Sequence, residues 1–301
     1  MDELAMVFRF DRIADLHRTR TRTIRSVLSG APEQTSDGTA LEYALAHHFL
    51  EGAELAARSG DRDTLAWYRT HVTAPPPHWS APTHLGPRIT QSPEPATLRR
   101  SPIADTPYHL LGPDTEPAPP SALALATSAF EVATEFGFGD LVAHHAPIVC
   151  LLIERSLEGA LNSWTITRLP GTVFLDHVGD ATVLARDLIH EAGHNWLNDA
   201  LTAAGIIIDD EHSYHSPWKN TQRPTFGYLH SCWAFPLTMI FAAQASVHAD
   251  EQVQTVLTAY LAQHRDKLAI TTDDHNRALT AVTDPDLRER LRAVHEMARH
   301  L

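Results

Sequence analysis

Thirteen of the 20 prolines fall between Pro75 and Pro120, mixed with Ser, Thr and Gly, and no other feature divides the chain so sharply. Each proline fixes φ and removes a backbone donor, so regular helix or sheet is not expected there. Composition alone makes the segment a flexible linker, but Trp79, Leu85, Ile89, Tyr108, Leu110 and Leu111 could anchor it as a wrap on a folded surface. The expected organisation is an N-terminal helical region over 1–74, a Pro-rich linker or surface wrap over 75–120, and a metal-binding catalytic domain over 121–301, for reasons that follow.

Apolar spacing predicts helices over 1–28, 40–58 and 64–72, punctuated by Gly30, Pro32 and Gly60. After Pro120 it predicts a helix to about residue 136, then short strands over 148–153, 164–169 and 172–177. These strands are rich in β-branched and aromatic residues, with Pro170-Gly171 supplying turn chemistry between the last two. Val183, Leu184, Leu188, Ile189, Ala192, Trp196, Leu197 and Leu201 then trace one broad apolar face of a helix over 181–202, with Trp196 in the core. A polar loop over 205–227 leads to helices near 229–248, 250–264 and 284–300. The fold class is α+β, mainly helical, with a small β-sheet preceding the 181–202 helix.

Bulk properties narrow the partners. The formal charge of −13, from 37 acidic against 24 basic residues, argues against a nucleic-acid backbone as ligand. Cys150 and Cys232 lie far apart and outside any CxxC, so neither a disulfide framework nor a cysteine zinc site is expected. The N-terminal residues include Asp2, Glu3, Arg9, Asp11 and Arg12, which do not make a secretory signal, and the apolar run 148–153 is too short to span a membrane. A soluble, cytoplasmic protein is expected.

The chemistry is concentrated in Ile189-His190-Glu191-Ala192-Gly193-His194, an HExxH pattern on that helix. Residues at i and i+4 project from one face a turn apart, so His190 and His194 can reach one ion while Glu191 lies beside it. Two histidines do not complete a catalytic site. The metzincin continuation is excluded, because Leu197 and Ala200 stand where Gly and His are needed. A glutamate ligand would come from Glu211 or Glu251, neither in a convincing context. Among His212, His215, His230 and His248, His230 is favoured, since Gly227-Tyr228-Leu229-His230 opens an apolar helix at a loop exit.

With these parts in hand, the stretch from Leu197-Asn198 through Ser216-Pro217-Trp218, Arg223-Pro224, Gly227-x-Leu229-His230 and Trp233-Ala234-Phe235 resembles a family of HExxH proteins encoded with ribosomal peptide natural products. The likeness covers about residues 169–242. Members of that family are understood as iron(II)- and 2-oxoglutarate-dependent peptide β-hydroxylases. The resemblance implies His190, His194 and His230 as iron ligands, O2 and 2-oxoglutarate as co-substrates, and a precursor peptide as substrate. It also implies Arg223 as the clamp on the distal carboxylate of 2-oxoglutarate, a role that suits a bidentate guanidinium. Ala192 and Gly193 stand where the family has a bulkier residue and Gln. Lys219, after Trp218, stands where it has Arg, and as a clamp would supply only a point charge.

Other residues carry weaker expectations. Trp218 and Trp233 are read as walls of the site. Glu191 would be the general base of a Zn(II) hydrolase, the alternative reading, but only a hydrogen-bonding partner in an iron enzyme. A third reading is a catalytically silent peptide-binding protein that keeps the metal for structure. Asn198 is either an orienter of the site or a surface amide. Arg18, Arg20, Arg22 and Arg25 are read as a solvated helix face. His47-His48 and His144-His145 match no ligand spacing and are given no role.

Overall fold

The computed structural model describes residues 2–30, 38–101, 105–157 and 159–301; Pro32 falls outside them. The expected first helix is two, α1 (Asp2–Phe8) and α2 (Asp11–Ser29). On one continuous helix Phe8 and Phe10 would point about 200° apart. The extended φ of −119° at Phe10 turns both rings into the core, each 6% exposed. Helix α3 (Ala40–Ser59) opens on a reciprocal capping box between Thr39 and Glu42, and α4 (Arg62–His71) follows the left-handed Gly60.

The Pro-rich segment departs most from expectation, because it contributes two strands to the main sheet: β1 (Ser80–Thr83) and β2 (Gly86–Gln91). Pro82 and Pro87 face each other across this antiparallel hairpin at the sheet edge, and the parallel pairing of β2 with the sheet interior starts only at Ile89, beyond both prolines. Missing donors are tolerated in that arrangement. A smaller hairpin, β3 (Arg99–Arg100) and β4 (Pro107–Tyr108), follows. Trp79, Ile89, Tyr108 and Leu111 are buried as expected of anchors. Leu111 is fixed further, donating its N–H to His48 Nδ1 at 3.2 Å and accepting from the Tyr68 hydroxyl at 3.1 Å.

Helices α5 (Pro120–Glu135) and α6 (Gly139–His145) lead into β5 (Ile148–Glu154), β6 (Ser163–Trp164) and β7 (Thr172–His177). The five-stranded sheet has the order β1-β2-β5-β7-β6, with β2, β5 and β7 parallel and the two edge strands antiparallel. The strand expected over 164–169 is reduced to β6, since Leu169 N–H turns back to the Ile166 carbonyl before the left-handed Gly171.

The motif helix α7 (Ala181–Ala203) is capped by Asp180, which accepts from Val183 N–H at 2.8 Å. The expected irregular loop over 205–227 holds a hairpin, β8 (Ser213–Ser216) and β9 (Thr221–Pro224), whose turn places Asn220 at φ 48°. Helix α8 (Thr225–Ala245) therefore starts four residues earlier than the apolar pattern indicates. The chain ends in α9 (Glu251–Ala269), α10 (Thr272–Ala278) and α11 (Pro285–Arg299). Trp196 of α7 stacks on Trp233 of α8 at 4.5 Å, and Trp233 Nε1 donates to the Gly193 carbonyl at 2.9 Å. A Cβ at Gly193 would lie 3.0 Å from Leu237, so the glycine sets the close approach of the two helices. Among the described residues no helix is long and apolar enough to cross a membrane.

Candidate metal centre

His190 and His194 share one face of α7, with their Nε2 atoms 3.2 Å apart. The ligand atoms of His190, Glu191 and His194 all lie within 4.8 Å of one another. His230, in the second turn of α8, meets the other edge of His194, Nδ1 to Nδ1 at 3.0 Å. The three histidines thus form a row with His194 in the middle; the donors within 4.8 Å of one another are those of His190, Glu191 and His194, a group that does not include His230. Among the described residues His230 Nε2 is buried without a hydrogen-bond partner, as is Glu191 Oε2. Glu191 Oε1 accepts from Ser163 Oγ at 2.7 Å. Ser163 was not legible in the sequence as part of the site, because only the β6–β7 pairing carries it over the motif helix.

Burial and nearby cations push the three imidazoles toward the neutral form, the form in which imidazole can ligate a metal. Burial drives His190 well below its ordinary range, with His194, Arg186 and Lys219 adding to the effect. Burial also lowers His194 to about 4, reinforced by Arg223 and Lys219, and drives His230 far down beside His194 and Arg223. Glu191 is pushed up to about 8 by burial, against the Ser163 hydrogen bond and the Lys219 charge.

The β8–β9 hairpin brings the remaining expected residues to this row. Trp218 stacks on Phe235 at 4.9 Å and 5°, and Phe235 meets His190 edge-on at 4.9 Å, which walls one side. Arg223 lies against the first turn of α8, where a Cβ at Gly227 would come within 2.9 Å of its Nε. Neither Arg223 nor Lys219 has an ion pair or a side-chain hydrogen bond among the described residues, and both act on His194. A cleft of about 730 Å³ opens onto His190 and is lined also by Trp164, Arg186, Asp187, Lys219 and Phe235. Half-buried Asp187 pairs with Arg186 at 2.8 Å about one turn before His190, a pair the sequence did not single out.

Several weighed residues lie elsewhere. Asn198 lines a cavity with Asn195, Asp199 and Phe226. His212 and His215 are exposed on the hairpin side, and Glu251 is exposed at the start of α9. Arg25 is tied to Glu42 at 2.9 Å, while Arg18 and Arg20 are exposed. His145, given no role from its spacing, belongs to a buried cluster with His17 and Asp199, both distant in sequence. The chain matches no model of a known protein family, and no curated protein is significantly similar to it.

Proposed function

We propose that this chain is an iron(II)- and 2-oxoglutarate-dependent dioxygenase that hydroxylates a side-chain carbon, the β-carbon, of a residue in a ribosomally made peptide. The observation that carries the reading is the half-buried Arg223, with no side-chain partner among the described residues, beside three histidines that burial pushes toward the neutral form, with the exposed Lys219 adding positive charge. A half-buried guanidinium without a partner calls for an anion, and a dicarboxylate co-substrate brings one. The donor set fits a divalent metal: three imidazoles in a row, and a buried His230 Nε2 with nothing to bond. His190, His194 and His230 would hold the ion. Iron(II) bound there supplies the redox chemistry with O2 by which 2-oxoglutarate becomes succinate and CO2 while one oxygen atom enters the target C–H bond.

The protein's own contribution is positioning. Arg223 and Lys219 hold the co-substrate's carboxylate, and Gly227 leaves Arg223 its place. The Trp218–Phe235 stack walls one side of His190, and Ser163 holds Glu191 by donating to it. The cleft beside His190 has room for several residues of an extended peptide. A zinc hydrolase is the second reading, favoured by one observation: Glu191 Oε2 is unpartnered within reach of both motif histidines. Anaerobic titration of the iron-loaded protein with 2-oxoglutarate separates the two. A saturable visible metal-to-ligand absorption band supports the dioxygenase, and no band contradicts it.

A further inference from the structure

On the face of α7 turned away from the motif, Asp199 is the meeting point of three other helices. His17 Nε2 of α2 lies 2.9 Å from Asp199 Oδ2, and His145 Nδ1 at the end of α6 lies 3.2 Å from the same oxygen. The Tyr43 hydroxyl of α3 donates to Oδ1 at 3.3 Å, and its ring stacks on His17 at 3.9 Å. The three ligand atoms of His17, His145 and Asp199 lie within 4.8 Å of one another. We propose that His17, His145 and Asp199 form a second metal site, closed and structural, which binds a divalent ion of the zinc class and ties the motif helix to α2 and α6.

The spacing fits. Metal–ligand bonds of about 2.0–2.2 Å put neighbouring donors of a tetrahedral site about 3.3–3.6 Å apart, close to what the apposed atoms already show. The chemistry fits as well, since two imidazoles and one carboxylate are borderline ligands suited to zinc. Charge gives the reason for an ion. Burial alone would raise the Asp199 carboxyl, but the bonds from His145 and His17 outweigh it and hold the group well below the usual carboxylate range. Burial in turn pushes His145 down to about 4, so at neutral pH it brings no positive charge. Arg20 lines the adjoining cavity and bears on the Tyr43 hydroxyl, outside the buried group of His17, His145 and Asp199. A buried anion is costly unless it is paired, and a divalent ion held by these three side chains pairs it.

A further polar group is left over beside the cluster. His47, 9% exposed, meets Tyr43 edge-on at 4.8 Å, and its Nε2 is buried without a partner among the described residues. The site is closed to substrates because His17, His145 and Asp199 are 3%, 3% and 4% exposed, which makes its role structural. A cavity of about 360 Å³ lined by Tyr43, Asn195 and Asp199 offers an entry path and room for a water as fourth ligand.

The test counts metal in the full chain loaded with Zn(II) and desalted. The wild type should hold about two equivalents, and the His190→Ala/His194→Ala variant, which leaves the second site untouched, about one. In that background added Zn(II) should raise the melting temperature in proportion to the logarithm of its concentration. Asp199→Asn should then remove the remaining equivalent. One equivalent in both wild type and double variant supports this site while contradicting a metal at the motif. No retained zinc and no melting shift in the folded double variant overturns the proposal and leaves the cluster a hydrogen-bonded network. The double variant decides the matter even if Asp199→Asn fails to fold.

Discussion

The guanidinium of Arg223 rests on Gly227: a Cβ at position 227 would lie 2.9 Å from both Nε and Nη2 of the arginine. The glycine of the GxLH pattern is thus explained by the side chain four residues before it. Gly227→Ala should displace the clamp and weaken 2-oxoglutarate about tenfold or more, given about 1.5–3 kcal/mol for a charge-assisted bond, while iron binding stays intact. Arg223→Ala should do the same, and the double variant should be no worse than Arg223→Ala. Additive losses, or a loss seen with Lys219→Ala and not with Arg223→Ala, would move the clamp to Lys219.

Glu191→Gln separates the two chemistries. A hydrolase needs a carboxylate to take a proton from metal-bound water, whereas decarboxylation of 2-oxoglutarate needs no base at that position. The neutral amide can still accept from Ser163 Oγ. Succinate release should survive the substitution. Zinc-supported peptide cleavage by the wild type that disappears in Glu191→Gln would contradict the dioxygenase reading.

Acid should unfold the metal-free chain early. Burial lowers His47, His109, His264 and His295 to about 4 and His48 and His275 to about 3. Each is neutral in the folded state and takes up a proton more readily when unfolded, so stability is fully present above the ordinary histidine value of about 6.5 and is lost as pH falls from there toward about 4. In that window each contributes about 1.4 kcal/mol per pH unit. The melting temperature should fall steeply between pH 6.5 and 4.5; a flat profile would show that the buried histidines do not titrate on unfolding.

What the sequence made legible was local. The i,i+4 pair on a periodic helix, the opening of α8 around His230 and the β7 boundaries, 172–177, are decided by neighbours within a few residues. What stayed hidden depends on distant pairing. Prolines made 75–120 look unfit for sheet, yet Pro82 and Pro87 sit where the ladder needs no donor from them. Ser163 reaches Glu191 only through β6–β7 pairing, and His17, His145 and Asp199 meet only after α2, α6 and α7 pack. No spacing rule finds partners of that kind.

The α7–α8 contact should be a stability determinant of the site. Trp233→Phe removes the donor to the buried Gly193 carbonyl and part of the stack on Trp196. A loss of about 0.5–1.5 kcal/mol is expected from the lost hydrogen bond, since the Gly193 carbonyl keeps its place in the ladder of α7, seen as a lower denaturant midpoint. An unchanged midpoint would mean that the indole contributes nothing beyond its ring area.

The central claim is tested most directly by incubating the anaerobically iron-loaded chain with 2-oxoglutarate, then admitting O2 and measuring succinate and the mass of an added candidate precursor peptide. The account predicts O2- and iron-dependent succinate release, with a peptide one oxygen atom heavier, both lost in His190→Ala and His194→Ala. Peptide hydrolysis with zinc, and no succinate under any iron loading, would contradict it.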